Sequence, residues 1–173
     1  MSWFKRTDKG IQTPTELKRE VPDGLWYQCS SCKNVMHTRE HKLNSFTCIH
    51  CNYHEKIGSE AYFQLLFDEG VYTELDATLH SADPLKFVDT KAYPDRLKAT
   101  EAKSGLRDAV RTAHGSMNGV HLTICCMDFG FIGGSMGSVV GEKIARGIDH
   151  SIKNKLPFLM ISKSALMGFP THC

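Results

Sequence analysis

The stretch from Asp128 to Lys155 constrains the fold more than any other part of this 173-residue sequence. An apolar run over Val120–Met127 precedes it, a glycine-rich turn over Gly133–Gly137 interrupts it, and a second apolar run over Leu156–Ile161 follows. Beyond the turn, apolar residues recur at every fourth position, which predicts a helix with one apolar face. These residues are Val140, Ile144, Ile148 and Ile152. Charged residues are expected elsewhere on the helix, at Glu142, Lys143, Arg146, Asp149 and Lys153. The order of strand, glycine turn, helix and strand predicts a βαβ unit.

The glycine turn has two interpretations. Glycines let a backbone approach a ligand closely, and the N-terminus of a helix presents unpaired N–H groups with a partial positive charge. Such a turn can hold a phosphate or a developing oxyanion. Alternatively, the glycines only allow the helix to pack tightly on the strand. The turn fits neither the dinucleotide pattern nor the Walker pattern, so its spacing leaves both interpretations open.

Four cysteines form a second motif with the spacing C-x2-C-x15-C-x2-C; they are Cys29, Cys32, Cys48 and Cys51. This spacing predicts a zinc ribbon in which four thiolates complete a tetrahedral Zn²⁺ shell. A closed shell indicates a structural metal, which replaces a core that so short a segment cannot supply. The neighbouring histidines are therefore expected on the surface; they are His37, His41, His50 and His54.

Composition restricts the classes of function. The net charge of +2 argues against a strongly basic nucleic-acid binder, and a hydrophobic content of 41% suffices for a globular core. Residues 1–57 nevertheless carry nine Lys and Arg against six Asp and Glu, so nucleic-acid binding by the ribbon stays an alternative. The sequence has no apolar run of membrane-spanning length and no apolar signal core, which predicts a cytoplasmic protein.

We expect three segments along the chain. Residues 1–24 are predicted to be a flexible arm, 25–57 a zinc ribbon and 58–173 a partial α/β domain. Within the third segment, a helix over Ser59–Asp68 is predicted to begin with Ser59 as its N-cap and to end before Gly70. A strand or extended linker over Val71–Leu79 follows. A second helix is predicted over Pro94–Lys103, before Gly105.

A β-hairpin is predicted immediately before the glycine turn. Asn118-Gly119 is a strong signal for a two-residue hairpin turn. It favours a strand over Ala109–His114 that pairs with Val120–Met127. Cys125 and Cys126 lie within the second strand, and at least one of them is expected to be a buried small apolar side chain.

The two motifs together resemble one known family, the β subunits of bacterial acetyl-CoA carboxylase carboxyltransferase. Here FIGGSMGSVVGEKI follows MDFG. Members of the family carry a near-identical phenylalanine–GGSMGSVVGEK segment downstream of a four-cysteine zinc ribbon. The resemblance runs from Trp3 to about Ser164. It implies an α/β fold of the crotonase type (ClpP/crotonase), incomplete here, made of stacked ββα units behind the ribbon.

The resemblance also implies a function. In that family the reaction moves a carboxyl group from carboxybiotin to the coenzyme A thioester acetyl-CoA and gives malonyl-CoA for fatty-acid biosynthesis. The β subunit works with an α subunit of the same fold, in a heterotetramer of two α and two β subunits. Biotin arrives on a biotin carboxyl carrier protein, and a separate ATP-binding biotin carboxylase carboxylates it. A zinc-ribbon module that binds nucleic acid, and an inactive fragment that acts only through interaction, stay as alternatives.

By resemblance, the glycine turn lies next to the acyl-CoA site. The implied substrate contacts are Gly133, Gly134, Ser135, Met136 and Gly137, and the implied oxyanion donors are the backbone N–H groups of Gly133 and Gly134. No side chain is predicted to act as an acid, base or nucleophile, because carboxybiotin supplies its own base. Each backbone donor can contribute about 3 kcal/mol to stabilising the transition state.

The sequence departs from the family after Ser164. The family continues there with Gly-Gly-Ala-Arg-Met, whereas this sequence continues with ALMGFPTHC. We therefore expect a chain that is truncated or frameshifted after Ser164. A chain without the second glycine pair is expected to be catalytically silent by itself.

Overall fold

The computed structural model describes residues 24–83, 86, 88 and 92–163, and the chain divides after Glu55 into two compact units. The predicted arm lies outside the described residues except for Gly24, and so does the sequence from Ser164 onward. The domain boundaries of the sequence analysis therefore stay a prediction. None of the described helices combines the length and the apolar character that crossing a membrane requires.

The first unit is built on a short antiparallel hairpin. Strand β1 (Trp26–Gln28) pairs with β2 (Val35–His37), and helix α1 (Thr38–Leu43) follows directly. Its small core consists of Cys29, Met36 and Cys48, with Tyr27, Cys32 and Tyr53 packed against them. Two cysteines thus contribute to the only apolar cluster described in this unit, as expected for a segment too short to form a larger core.

The second unit is a four-stranded sheet with helices on its two faces. In sheet order the strands are β3 (Tyr72–Leu75), β4 (Val110–Met117), β5 (Val120–Met127) and β6 (Phe158–Ile161). The helices are α2 (Ser59–Leu66), α3 (Tyr93–Ser104) and α4 (Ser138–Asn154). Strands β3, β4 and β5 pair antiparallel, and β5 pairs parallel with β6. The predicted βαβ unit is confirmed as β5–α4–β6.

The predicted hairpin is also confirmed. Asn118 and Gly119 have φ angles of 52° and 77°, so both occupy the left-handed region that a tight two-residue turn requires. The carboxylate of Asp68 accepts the N–H of Asn118 at 2.7 Å and the N–H of Gly119 at 3.0 Å. A tertiary contact therefore reinforces a turn that the local sequence already specifies.

Alternate residues of β5 supply two separate cores. Ile124 and Cys126 pack with Phe63 of α2 on one face. Cys125 packs with Val140 of α4 on the other face. Both cysteines are fully buried, which confirms the prediction for this pair.

Helix α4 forms where it was predicted, but its buried face is different. Val140 is buried and the half-buried Ile144 packs against the same core, whereas Ile148 and Ile152 are 39% and 69% exposed, so only the first half of the predicted apolar stripe covers the sheet. The buried positions beyond Val140 are Lys143, Gly147 and Ser151. The physical reason is Gly147, which has no side chain and lets the helix axis approach β5 closely. The contact stripe is therefore centred on Gly147, and the charged Lys143 falls on the buried side.

The predicted cap of α2 is wrong as well. The N-cap position is Gly58, which offers no side-chain cap, and Ser59 lies buried in the first turn of the helix. The cap comes instead from Asp128, 69 positions along the chain, whose carboxylate accepts the Ser59 N–H. Helix α2 ends at Leu66, two residues earlier than predicted. The second predicted helix is confirmed as α3, with Gly105 in the left-handed region after it.

Candidate functional site

The four cysteines of the predicted ribbon converge on one point, since their sulfur atoms all lie within 4.8 Å of one another. The sulfur of Cys29 lies 3.7 Å from that of Cys51. The same distance separates the sulfurs of Cys32 and Cys48. Tetrahedral zinc with Zn–S bonds of about 2.3 Å places its sulfurs about 3.8 Å apart, whereas a disulfide places them at about 2.05 Å. The four thiols therefore fit one tetrahedral zinc ion.

Two matching turns create this geometry. After Cys29 the chain reverses, so that the N–H of Lys33 donates to the carbonyl of Cys29 at 3.1 Å. After Cys48 the N–H of Asn52 donates to the carbonyl of Cys48 at 2.9 Å. Lys33 and Asn52 both have a positive φ, at 62° and 56°. Each C-x2-C pair thus lies on a tight knuckle that directs two sulfurs to the same side.

The expectation of surface histidines is wrong for His41, which is only 3% exposed. Its ring stacks on Tyr27 with a centroid distance of 3.8 Å, because a small apolar core leaves aromatic rings to complete the packing. Its Nε2 has no hydrogen-bond partner among the described residues. His50 and His54 are exposed, and His37 is half-buried and accepts a backbone N–H at the start of α1.

The glycine turn connects β5 to α4 and contains one 3-10 turn over Ile132–Gly134. The φ angles of Gly133 and Gly134 are 64° and 71°, so both glycines occupy the left-handed region. The N–H of Gly134 donates to the carbonyl of Phe131 at 2.9 Å. One of the two predicted oxyanion donors is therefore used within the turn. The N–H of Gly133 has no hydrogen-bond partner in the described part of the chain.

Helix α4 begins directly after the turn without a side-chain cap. Its first internal hydrogen bond runs from the N–H of Gly141 to the carbonyl of Gly137, at 3.2 Å. The N–H groups of Ser138, Val139 and Val140 precede that bond and open the helix. An uncapped first turn carries a partial positive charge and attracts anions. The turn and the helix thus present N–H donors at one end of the sheet.

A cavity of about 190 Å³ lies between this turn and helix α3. Phe131, Ser135 and Val139 line it on the side of the turn, and Tyr93 and Arg96 line it on the side of α3. Arg96 brings a positive charge to the wall. The sequence analysis did not single out α3, because nothing local in its sequence indicates that it lies beside the turn.

A wider groove of about 460 Å³ continues along α3 and past Gly133. Arg96 and Lys103 line it together with Asp95, so the wall formed by α3 carries two cationic side chains and one acidic side chain. Among the predicted contact residues, Ser135 and Gly137 line the smaller cavity and Gly133 lines the groove. Gly134 is buried and Met136 is 57% exposed, and neither lines these two spaces.

Two buried charged residues behind the turn were also missed. Lys143 is 2% exposed and its Nζ donates to the carbonyl of Val110 at 3.4 Å, and burial lowers its pKa. Asp108 is 7% exposed, and burial raises its pKa. Its Oδ1 accepts the N–H of Ala109, while its Oδ2 has no partner among the described residues. The available signal was the spacing of Lys143, three residues after Val140 and hence on the same helical face.

Comparison with known proteins identifies the family. Residues 67–168 match the family model of the carboxyl transferase domain. The chain is 58% identical over 164 residues to the acetyl-coenzyme A carboxylase carboxyl transferase subunit beta of Pedobacter heparinus. It is 59% identical over 164 residues to the subunit of the same name from Flavobacterium psychrophilum. These matches span 95% of this chain but only 58% and 57% of the two relatives.

The fold has a solved counterpart in transcarboxylase 12S, whose crystal structure holds methylmalonyl-coenzyme A and methylmalonic acid. The TM-score is 0.50 at 21% sequence identity, over 64% of this chain and 19% of that chain. This likeness concerns the fold alone, and with the observed ββα order it confirms the predicted α/β fold of the crotonase type. Because the family model covers more than half of the sequence, the chain belongs to the carboxyl transferase domain family.

Proposed function

We propose that this chain acts as the β subunit of an acetyl-CoA carboxylase carboxyltransferase, which transfers a carboxyl group from carboxybiotin to acetyl-CoA and forms malonyl-CoA. The observation that carries the proposal is the glycine turn at the uncapped start of α4, bordered by a cavity and a groove. The two relatives that bear this subunit's name support it. They do not favour the nucleic-acid alternative.

The chemistry matches what the turn offers. Removal of a proton from the acetyl methyl group places negative charge on the thioester oxygen, and carboxybiotin leaves a second oxyanion when it loses its carboxyl group. Preorganised N–H donors stabilise such charges, with about 3 kcal/mol for each donor. We assign the donor role to Gly133, whose N–H has no partner in the described part of the chain, and to the first N–H groups of α4. Gly134 shapes the turn, because its N–H is already bonded to Phe131.

The remaining predicted contacts are distributed around the same turn. Ser135 and Gly137 line the cavity and Met136 is exposed, so we propose that they contact the acyl-CoA. Arg96 and Lys103 outnumber Asp95 in the lining of the groove, and we propose that these two cations meet the phosphates of a coenzyme A thioester.

We further propose one structural Zn²⁺ on Cys29, Cys32, Cys48 and Cys51. The sulfur separations support this assignment, and the ion would cross-link the two knuckles of the first unit. Four thiolates leave no coordination position for a substrate, so we assign the metal no part in the reaction. Free thiols in this arrangement suit a reducing compartment, and we place the protein in the cytoplasm.

The proposal implies partners. A carboxyltransferase α subunit would complete the enzyme in a heterotetramer of two α and two β subunits. The biotin carboxyl carrier protein would deliver carboxybiotin, after biotin carboxylase has formed it with ATP.

A reconstituted assay tests this function. The chain would be extended after Ser164 with the corresponding segment of the Pedobacter heparinus relative, and mixed with an α subunit, carboxylated carrier and acetyl-CoA. We expect malonyl-CoA, and we expect Gly134→Val to abolish its formation because a branched side chain cannot adopt φ of 71° without strain. The 173-residue chain is assayed in parallel, to test the expectation that it forms no malonyl-CoA by itself. A folded extended chain that forms no malonyl-CoA would refute the proposal.

A further inference from the structure

The carboxylate of Asp128 links two elements that lie far apart in the sequence. Asp128 follows β5 directly and is 8% exposed. Its Oδ2 accepts the backbone N–H of Ser59 at 2.7 Å and the Ser59 hydroxyl at 3.0 Å. Its Oδ1 accepts the N–H of Gly130 at 3.1 Å. One carboxylate thus joins the first residue of α2 to Gly130, which lies between β5 and the glycine turn.

The site is shaped to receive this carboxylate. A Cβ on Gly58 would lie 2.9 Å from Oδ2, so the carboxylate reaches the start of α2 only because position 58 has no side chain. The helix has no side-chain cap of its own, and a carboxylate at a helix N-terminus is stabilised by the N–H groups and the helix dipole. The N–H of Asp128 itself donates to the carbonyl of Ala109 at 2.7 Å, which anchors the residue to the sheet.

From Asp128 a chain of hydrogen bonds continues through the turn. The backbone carbonyl of Asp128 accepts the N–H of Phe131 at 3.3 Å, and the carbonyl of Phe131 accepts the N–H of Gly134 at 2.9 Å. The conformation of Gly133, between these bonds, therefore depends on where the Asp128 carboxylate holds Gly130.

We infer that Asp128 is a positioning residue for the proposed acyl-CoA site, which it holds in shape by tying the glycine turn to the N-terminus of α2. The inference rests on the proposed function. Asp128 itself does not contact the substrate. Instead, its carboxylate accepts three hydrogen bonds, two from Ser59 and one from Gly130, and these bonds fix the geometry of the Gly133 N–H donor.

The substitution Asp128→Asn distinguishes the contact of Asp128 with Ser59 from its contact with Gly130. A carboxylate accepts hydrogen bonds at both oxygens, whereas a carboxamide has one accepting oxygen and one donating nitrogen. If the amide oxygen faces Ser59, which supplies two donors, the amide nitrogen faces the N–H of Gly130 and repels it. Ser59→Ala is the matched control, because it removes one hydrogen bond on the side of α2 and leaves the Gly130 bond intact.

The test uses the zinc-loaded 173-residue chain. Unfolding midpoints in urea, the Kd for acetyl-CoA and the hydrogen exchange of amides 130–134 are measured for the unmutated chain and both variants. We expect both variants to unfold at lower urea. Only Asp128→Asn should raise the Kd, about tenfold, and accelerate exchange in the turn. Ser59→Ala should keep the Kd within about twofold and leave exchange in the turn unchanged.

The outcomes distinguish this inference from the proposed function. If the unmutated chain does not bind acetyl-CoA, the proposed function is contradicted for this chain. The role of Asp128 is then decided by the hydrogen-exchange rates of amides 130–134 alone. If Asp128→Asn leaves both the Kd and the turn exchange at the values of Ser59→Ala, Asp128 only caps α2 and the inference is refuted. Should Asp128→Asn not fold, Gly58→Ala crowds Oδ2 instead, and unchanged exchange at Gly130 in that variant would equally refute it.

Discussion

Gly147 in helix α4 approaches Cys125 in strand β5 so closely that a Cβ on the glycine would lie 2.8 Å from the cysteine sulfur. The same Cβ would lie 3.0 Å from a methyl carbon of Thr112 and 3.3 Å from the ring of Phe158. Three neighbours in three strands thus surround one missing side chain. This contact determines which face of α4 is buried, and α4 in turn presents its N-terminus to the glycine turn.

We therefore expect Gly147→Ala to destabilise the second unit. Crowding a well-packed site costs about 1–3 kcal/mol, which exceeds the gain of about 0.5–1 kcal/mol from replacing a helical glycine by alanine. Gly141→Ala is the matched control in the same helix, because its Cβ would meet nothing within 4 Å. That control should gain stability. Urea unfolding of both variants checks the opposite signs, and a stabilised Gly147→Ala would contradict the packing argument.

The zinc assignment predicts one zinc per chain in protein purified without chelator, because four sulfurs at these separations complete one tetrahedral shell. Cys48→Ser should reduce the bound zinc and loosen the first unit, while the unfolding transition of the second unit stays unchanged. Cys126→Ser is the control, since this buried cysteine lies outside the cluster and its replacement should leave the zinc content intact. Elemental analysis decides, and well under one zinc in the unmutated protein would count against the site.

Local signals explain what could be predicted from the sequence. The cysteine knuckles and the Asn118-Gly119 hairpin each depend on residues a few positions apart, and the structure contains both. The order of strand, turn, helix and strand follows from periodicity and glycine in the same way. The sequence could not show that the N–H of Gly134 is already hydrogen-bonded, because that bond to the carbonyl of Phe131 forms only in the folded turn.

Tertiary contacts explain what could not be predicted. The apolar period of α4 predicts the packing of Val140 and Ile144 correctly, but further along the helix Gly147 faces the sheet and Ile148 and Ile152 are exposed. Serine is a residue type that often caps helices, yet the carboxylate that caps α2 belongs to Asp128 and not to Ser59. In both cases the deciding partner lies far away in sequence, so no local pattern contains it.

Glu60 is predicted to contribute stability only above acidic pH. Its carboxylate accepts the hydroxyl of Tyr72 at 2.6 Å and the guanidinium of Arg111 at 2.8 Å, and these two partners lower the pKa of Glu60 to about 2. Because the folded pKa lies below the unfolded value, the stabilisation is present above pH about 4.5 and is lost as the pH falls toward 2. Glu60→Gln should therefore lower the unfolding midpoint at pH 7 and have a shrinking effect below pH about 4.5.

The effect of Glu60→Gln should be modest, about 1 kcal/mol or less, because more than half of the Glu60 side chain is exposed. Glu142→Gln is the control, as it removes only the exposed pair with Arg146 on α4. Glu142→Gln should change stability less than Glu60→Gln does, because solvent screens an exposed ion pair. Urea unfolding between pH 3 and 8 provides the measurement, and an effect of Glu60→Gln that does not vary with pH would contradict the assignment.

Asp108 is predicted to oppose folding at neutral pH. Burial raises the pKa of Asp108, and the hydrogen bond from the N–H of Ala109 and the attraction of Lys143 offset this only in part. The folded state therefore disfavours the ionised carboxylate, and stability decreases as the pH rises from the unfolded pKa of about 3.9 through the folded value.

Asp108→Asn keeps an oxygen that can accept the N–H of Ala109 but cannot ionise, so it should be more stable than the unmutated chain at pH 7 and equally stable near pH 3. Asp108→Ala should instead lose about 1–3 kcal/mol at both pH values, since it leaves the buried N–H of Ala109 without its acceptor. A destabilised Asp108→Asn at pH 7 would mean that the attraction of Lys143 outweighs the cost of burying the charge.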